Sequence, residues 1–521
     1  MRYLWFLLFV LVLAAPFAAR RMLMPRGDGG PADGGAEKLV IVTPHNQDIR
    51  NEFARAFQAW HVRRYGTPIT LDYRVPGGSN DVRRLLNTTY RAYRDKQGRL
   101  AADFPADFDV AWGGGDFLYA HELEAGVLQP IHMPPKMLAE FRAAFPAPSL
   151  AGVRLYDPTT ADGEPTPRWI GVCLSSFGIC YNPDVYRSIG LPPPSPDHGW
   201  SDLADPRLRG FIALADPGHS GSAAVAFQMI IQRNMKDAED ELLAHDPALA
   251  ALPSARLVND AKYRDAIADG WHRGMSQLLK IAANARYFTD SSTLVPMDVS
   301  RGEAAAGMAI DFYARVTEES VGSDRIRYFA PAGATAITPD PVAILGGVKG
   351  RTLELARHFI EFLLSPEGQR LWILKPGAPG GPLDRGLRRP PIRRDLYADR
   401  TNWADDANPF EIARGFNERG EWMALFADTR PIWVAAWIDS REALEEAYGR
   451  ILRVTDVTRR DKLIDELADL PITMADVEKM RDERTKLKGA SDELELWSAR
   501  QQIEWAAKFR EHYRGVGERA D

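Results

Sequence analysis

From Lys38 onward the chain switches repeatedly between two hydrophobic periods. Residues 39–42 are an unbroken apolar run of strand length, after which Ile49, Phe53, Phe57 and Trp60 recur at helical spacing until Gly66 stops the helix. Ile69, Leu71, Tyr73 and Val75 alternate with polar residues as a strand does. A Pro76-Gly77-Gly78-Ser79 turn follows, and Val82, Leu85, Leu86, Tyr90 and Tyr93 form a second helical stripe. Residues 108–112 make a third strand, ending in Gly113-Gly114-Gly115-Asp116. Strand, helix, strand, helix, strand predicts a mostly parallel sheet with helices on both faces. Ligands of such sheets sit at the carboxyl ends of strands. Three strand ends therefore carry candidate binding residues: His45 in the first, Ser79 and Asn80 in the second, Gly114 and Asp116 in the third. Glycines that simply make turns would read the same way.

A second segment opens with apolar strands around Cys173 and Cys180 and reaches residues 212–215, an apolar strand that breaks at Asp216-Pro217 and enters a helix near Ser222. Such a junction aims backbone N–H groups, the hydroxyls of Ser220 and Ser222 and the positive end of a helix dipole at one point, with Gly221 and Ala223 in the same turn. This suits an anion; capping of the helix by Ser220 or Ser222 is the alternative. Residues 271–285 predict a helix, followed by a polar loop holding Ser291. Residues 307–310 form a strand ending in Asp311-Phe312-Tyr313, residues 341–345 another strand, and residues 353–364 an amphipathic helix. Beyond about Asp399 the strands cease. Residues 442–452, 462–467, 475–487 and 493–513 read as helices, with Thr473 and Ser491 as N-caps. Trp403, Trp422, Trp433, Trp437, Trp497 and Trp505 fall in this tail, which predicts a packed extension.

Composition narrows the picture. With 521 residues, 45% of them hydrophobic, the chain can build two or three cores. A net charge of -6 gives no general basic surface, so no nucleic acid partner is expected. Arg388-Arg389 and Arg393-Arg394 flank prolines and predict a solvated loop. Arg2 followed by the apolar run 3–19 reads as an export signal or an uncleaved membrane anchor, and the Gly-rich residues 25–35 as a linker. After export the two cysteines would either pair or remain buried thiols, and two are too few for a structural zinc site. No Gly-x-Ser-x-Gly elbow and no His-Glu-x-x-His occurs, which argues against a hydrolase, and no cofactor is expected.

The order of several motifs resembles a known family: residues 39–45, Trp200-Ser201-Asp202-Leu203 through Gly210, Asp216-Pro217-Gly218-His219-Ser220-Gly221-Ser222, Gly302-Glu303, Asp311-Phe312-Tyr313 and Phe362 through Gln369. Together, over about residues 39–395, they are similar to the type 2 solute-binding proteins of ABC importers, in the iron(III)-like branch. The resemblance implies an α/β fold of two lobes joined by hinge strands and closing on a ligand. Lobe 1 would span about 37–165 and 312–398 and lobe 2 about 166–311, after a signal or anchor at 1–36 and before a helical extension at 399–521. It further implies a periplasmic or cell-envelope receptor for an importer permease, not an enzyme. Metal-binding relatives use a histidine after the first strand and two adjacent tyrosines. Here His45 and Tyr313 match, while Phe312 replaces one phenol, weakening a site for hard Fe(III). Related members that bind phosphorylated or other anionic organic solutes carry an Asp-Phe strand end, which this chain has. Asp311 would then accept ligand hydroxyls while Ser220, Gly221, Ser222 and Ala223 hold the anion. Fe(III) at His45 and Tyr313, or an enzyme or ligand sensor on the same scaffold, are the alternatives.

Overall fold

A computed structural model describes residues 37–95, 100–101, 104–115, 118–119, 126–412, 420–487 and 491–521. The apolar run 3–19, its linker and Asp116 lie outside the described residues. Among the described residues no helix is long and apolar enough to cross a membrane.

The first unit follows the predicted alternation. Strand β1 (Glu37–Val42) leads to helix α1 (Gln47–Tyr65), β2 (Ile69–Arg74), α2 (Ser79–Arg91) and β3 (Val110–Trp112), and β1 pairs in parallel with both β2 and β3. Asn46 caps α1 by accepting from Ile49 N–H at 3.1 Å, and Gly66 ends it in the left-handed conformation, φ 74°. Phe53 of α1 packs on Trp112 and Trp372, with ring centroids 5.1 and 4.3 Å apart.

The strand that unifies the molecule is β4 (Ile170–Tyr181), buried along its whole length except at Tyr181. Burial on both faces explains its largely apolar sequence, which Ser175 and Ser176 interrupt. The second unit adds β5 (Ile212–Ala215), helices α3 (Gly221–His245) and α4 (Ala261–Ala283), β6 (Ala285–Thr289), β7 (Ala306–Ile310), helix α5 (Asp311–Val321), β8 (Arg327–Phe329) and β9 (Ile337–Ile344). Residues 177–181 of β4 pair with β7, whereas 170–176 pair with β9, so one strand crosses from one half of the sheet to the other. The resulting nine-stranded sheet runs β6-β5-β7-β4-β9-β3-β1-β2, with β8 also on β4. This mixed α/β sheet, with strands shared between its halves, is the two-lobed fold the motifs imply. Helices α3 and α4 lie close because α4 presents glycines: a Cβ on Gly274 would sit 2.6 Å from the Ile231 Cα.

Cys173 and Cys180 occupy the same extended strand as free, buried thiols. At ~3.3 Å per residue they are about 23 Å apart, against the ~7 Å Cα limit of a disulfide. Burial pushes both thiols up, Cys180 to about 12.

After helix α6 (Gly350–Leu364), the tail is helical: α7 (Gly420–Trp433), one π-turn over Val434–Ile438, α8 (Arg441–Ile451), α9 (Val457–Ala468), α10 (Met474–Lys486) and α11 (Ser491–Glu518). Thr473 caps α10 in a capping box with Asp476. The tail's apolar side is used against the second half of the sheet. Trp433 and Trp437 pack on Phe227 of α3 at 5.6 and 5.4 Å, and Arg441 donates to the carbonyls of Ala285 and Arg286. Asp428, 3% exposed, takes a fork from Arg484.

Candidate functional site

The loops after β1, β2, β3 and β5 open into one cleft of about 680 Å³, a size typical of small-molecule sites. Its floor is the turn that the sequence singled out. Asp216 folds it by accepting from Gly218 N–H at 2.6 Å and from His219 Nδ1 at 3.0 Å. Ser220 is the N-cap of α3, its Oγ accepting from Ala223 N–H at 3.2 Å, so its hydroxyl satisfies the helix. Ser222 and Gly221 face the cleft, whereas Ala223 serves the cap and does not line it. From the opposite side Asn80 donates to Gly218 O at 2.7 Å and His219 O at 3.2 Å, and Ser79 Oγ lies 3.8 Å from where a Gly221 Cβ would be. The amino ends of α2 and α3 therefore meet across the cleft. Gly114, at φ 106°, borders the same space, and a Cβ there would strike Leu118 at 2.9 Å. Ser291, bonded to Thr293 Oγ1 at 2.8 Å, lines the rim.

His45 reaches the cleft wall but is engaged. Its Nε2 lies 2.8 Å from Asp340 Oδ2, on which Arg389 also donates; Arg389 reaches Ser175 Oγ at 2.8 Å. Burial lowers the His45 pKa, only partly opposed by Asp340, so the ring is neutral with its Nε2–H given to the carboxylate. That leaves Nδ1 buried without a hydrogen-bond partner among the described residues. Burial alone would raise the Asp340 carboxyl, but Arg389 and then His45 hold it well below the ordinary range. The β9 register shifts between Asp340 and Pro341, which turns this carboxylate out of the ladder toward the cleft. The solvated-loop expectation is corrected for two of the four arginines: Arg389 is 2% exposed and Arg393, paired with Glu140 and Asp395, 5%, whereas Arg388 is half-buried and Arg394 exposed. Asp340 and Glu140, supplied by distant segments, and the neighbouring Asp395 offset the cost of that burial.

Asp311 also departs from expectation. Its Oδ2 accepts from Ser176 N–H and Oγ at 2.8 and 3.0 Å and its Oδ1 from Phe312 N–H at 2.8 Å, and it lies behind the cleft wall instead of in it. Burial raises its pKa to about 6. The predicted strand end is the first turn of α5, which aims Phe312 and Tyr313 inward; burial pushes the Tyr313 phenol up to about 12. The Arg389 guanidinium stacks 4.2 Å above the Phe312 ring.

Sequence reasoning missed Arg83 and Arg84 of α2, the Asp340–Arg389 pair, and Phe426, Arg430 and Trp433 of α7, all on the cleft wall. Two signals were available. Pro339-Asp340-Pro341 inside an apolar strand marks a bulge, and Phe426, Arg430 and Trp433 share one helical stripe.

A mixed α/β sheet whose halves share strands thus holds a cleft of small-molecule size at its strand ends. Residues 174–374 match the family of bacterial extracellular solute-binding proteins. The chain is similar to the phosphoglycerate transport regulatory protein PgtC of Salmonella typhimurium, 25% identical over 202 residues, covering 39% of this chain and 40% of that protein. An uncharacterized Haemophilus influenzae protein is 26% identical over 173 residues, 33% of this chain and 38% of its own length. The match thus spans about two fifths of these relatives. Among solved structures, the periplasmic binding protein AfuA from Actinobacillus pleuropneumoniae, with fructose-6-phosphate bound, superposes with a TM-score of 0.45 at 18% identity, covering 73% of this chain and 94% of that one. Iron-bound HitA from Pseudomonas aeruginosa gives 0.43 at 16% identity, covering 73% and 93%.

Proposed function

We propose that the protein is an exported receptor, not an enzyme, that binds a small anionic organic solute, phosphorylated or carboxylated, and presents it to the permease of an ABC importer. The observation that carries this reading is the convergence, on one cleft, of Arg83, Arg84 and Arg430 with the first turn of the long helix α3. Backbone N–H groups at a helix start and guanidinium forks are the donors an anion requires. Similarity to a protein named for phosphoglycerate transport supports the same solute class. The apolar run 3–19 supports export. The sheet halves on either side of β4 and β9 would act as the two lobes, with these strands as the hinge. An Fe(III) site at His45 and Tyr313 has less support. The His45 Nε2 is committed to Asp340, the Arg389 cation stands 3.4 Å from it, and burial disfavours the Tyr313 phenolate.

Native mass spectrometry of protein exported in a bacterial host, followed by calorimetric titration with 3-phosphoglycerate, other phosphate monoesters, dicarboxylates and Fe(III), tests the reading. Saturable binding of an organic anion is expected. Tight Fe(III) binding with a visible phenolate band that Tyr313→Phe removes, and no organic anion bound, would overturn it.

A further inference from the structure

The helical extension does more than cover the second half of the sheet. Phe426, Arg430 and Trp433, spaced one turn apart on α7, all border the cleft. Phe426 and Trp433 are 5% and 1% exposed, so the two aromatic residues are sunk into the packing and the guanidinium between them is the polar group this helix brings to the wall. Its placement is fixed. Arg430 Nε donates to Pro217 O and Nη2 to Ser220 O at 3.2 Å, which seats it on the turn that starts α3. The next residue along that face, Val434, closes on the same turn: a Cβ on Gly218 would lie 3.1 Å from its Cγ2.

The electrostatics of this position are specific. Burial, and after it the Arg83 guanidinium, push Arg430 down to about 10, with Asp216 opposing. A half-buried cation, a second cation from α2 and the positive end of the α3 dipole thus meet at one end of the cleft, where an added negative charge lowers the energy of all three.

We infer that the helical extension is a third ligand-contacting element of the cleft, in which Arg430 binds the anionic group of the solute from the tail side while Arg83 approaches it from α2. The inference rests on the proposed anion-binding function and adds a residue outside the segment that matches the solute-binding family, 174–374. It makes the tail part of the specificity of the site, since a protein lacking α7 would lose this cationic group.

The full-length protein is the test object, with glycerol 3-phosphate and inorganic phosphate as calorimetric probes. Arg430→Gln should weaken the phosphate monoester about 10- to 100-fold, the range of one charge-assisted donor pair, and flatten the salt dependence of binding; Arg430→Lys should recover part of the affinity. Arg441→Gln is the control: it removes a tail anchor that donates to Ala285 and Arg286 and does not line the cleft. It should lower the melting temperature without changing the affinity of the folded protein. If wild type binds the ester and Arg430→Gln binds it equally well, the inference is wrong and the receptor reading stands. Equal losses in Arg430→Gln and Arg441→Gln, tracking melting temperature, would reduce the tail to a scaffold and likewise overturn it. If wild type takes Fe(III) and no organic anion, both readings fall.

Discussion

A glutamate at Ser222 separates binding from folding, because the two respond with opposite sign. Ser222 is the second residue of α3, two past the Ser220 cap, and its side chain faces the cleft. A carboxylate in a first helical turn is favourable by about 0.3–1 kcal/mol, so Ser222→Glu should leave the fold as stable or slightly more stable. The same charge would stand within contact of a bound anion and would engage Arg430 in its place. At ~4 Å and an effective dielectric near 20, two like unit charges repel by about 4 kcal/mol. Partial exposure of this position screens the repulsion to about half, ~2 kcal/mol, which is about 30-fold in affinity. The assay pairs calorimetric titration of a phosphate monoester with thermal melting of the same samples. A loss of at least that order with an unchanged or raised melting temperature is expected. Unchanged affinity would remove the α3 amino end from the binding site; a parallel fall in affinity and melting temperature would mean that the substitution acts through the fold.

Asp340→Asn should strand the Arg389 cation, 2% exposed, and cost about 3–5 kcal/mol of stability in denaturant unfolding; an effect below 1 kcal/mol would refute the buried-pair assignment. Because the Asp340 carboxyl is held below its unfolded value, its stabilisation is present above that value, about 3.9, and is lost as pH falls through the native one, so the stability gap between wild type and Asp340→Asn should narrow below about pH 4. Asp311 has the opposite sign: with its pKa raised to about 6, the native state binds the extra proton and stability should fall as pH rises from about 4 to 6. Asp311→Asn should flatten that interval in pH-dependent unfolding; an unchanged slope would show that Asp311 does not titrate there.

The alternation along the chain determined the elements, because a helix or strand is set by contacts a few residues long and by which side of it is apolar. Residues 39–112 read directly as the parallel β1-β2-β3 unit, the α3 start and its Ser220 cap were visible in the Asp216-to-Ser222 motif, and Thr473 announced α10. Strand ends also pointed to loops that the fold brings together, since His45, Ser79, Asn80, Gly114, Ser222, Ser291 and Tyr313 share one cleft. Periodicity could not tell which polar side chains the fold would consume. Asp311 is taken by Ser176 from a strand 135 positions away, His45 by Asp340 across 295, and Arg389 reaches Ser175 across 214. Arg430 meets Pro217 across 213 positions, so the stripe it shares with Phe426 and Trp433 marked a packed helix face without telling that this face would line the cleft. Such pairings have no local spacing to betray them; they exist because a buried charge must find its partner wherever the folded chain brings one.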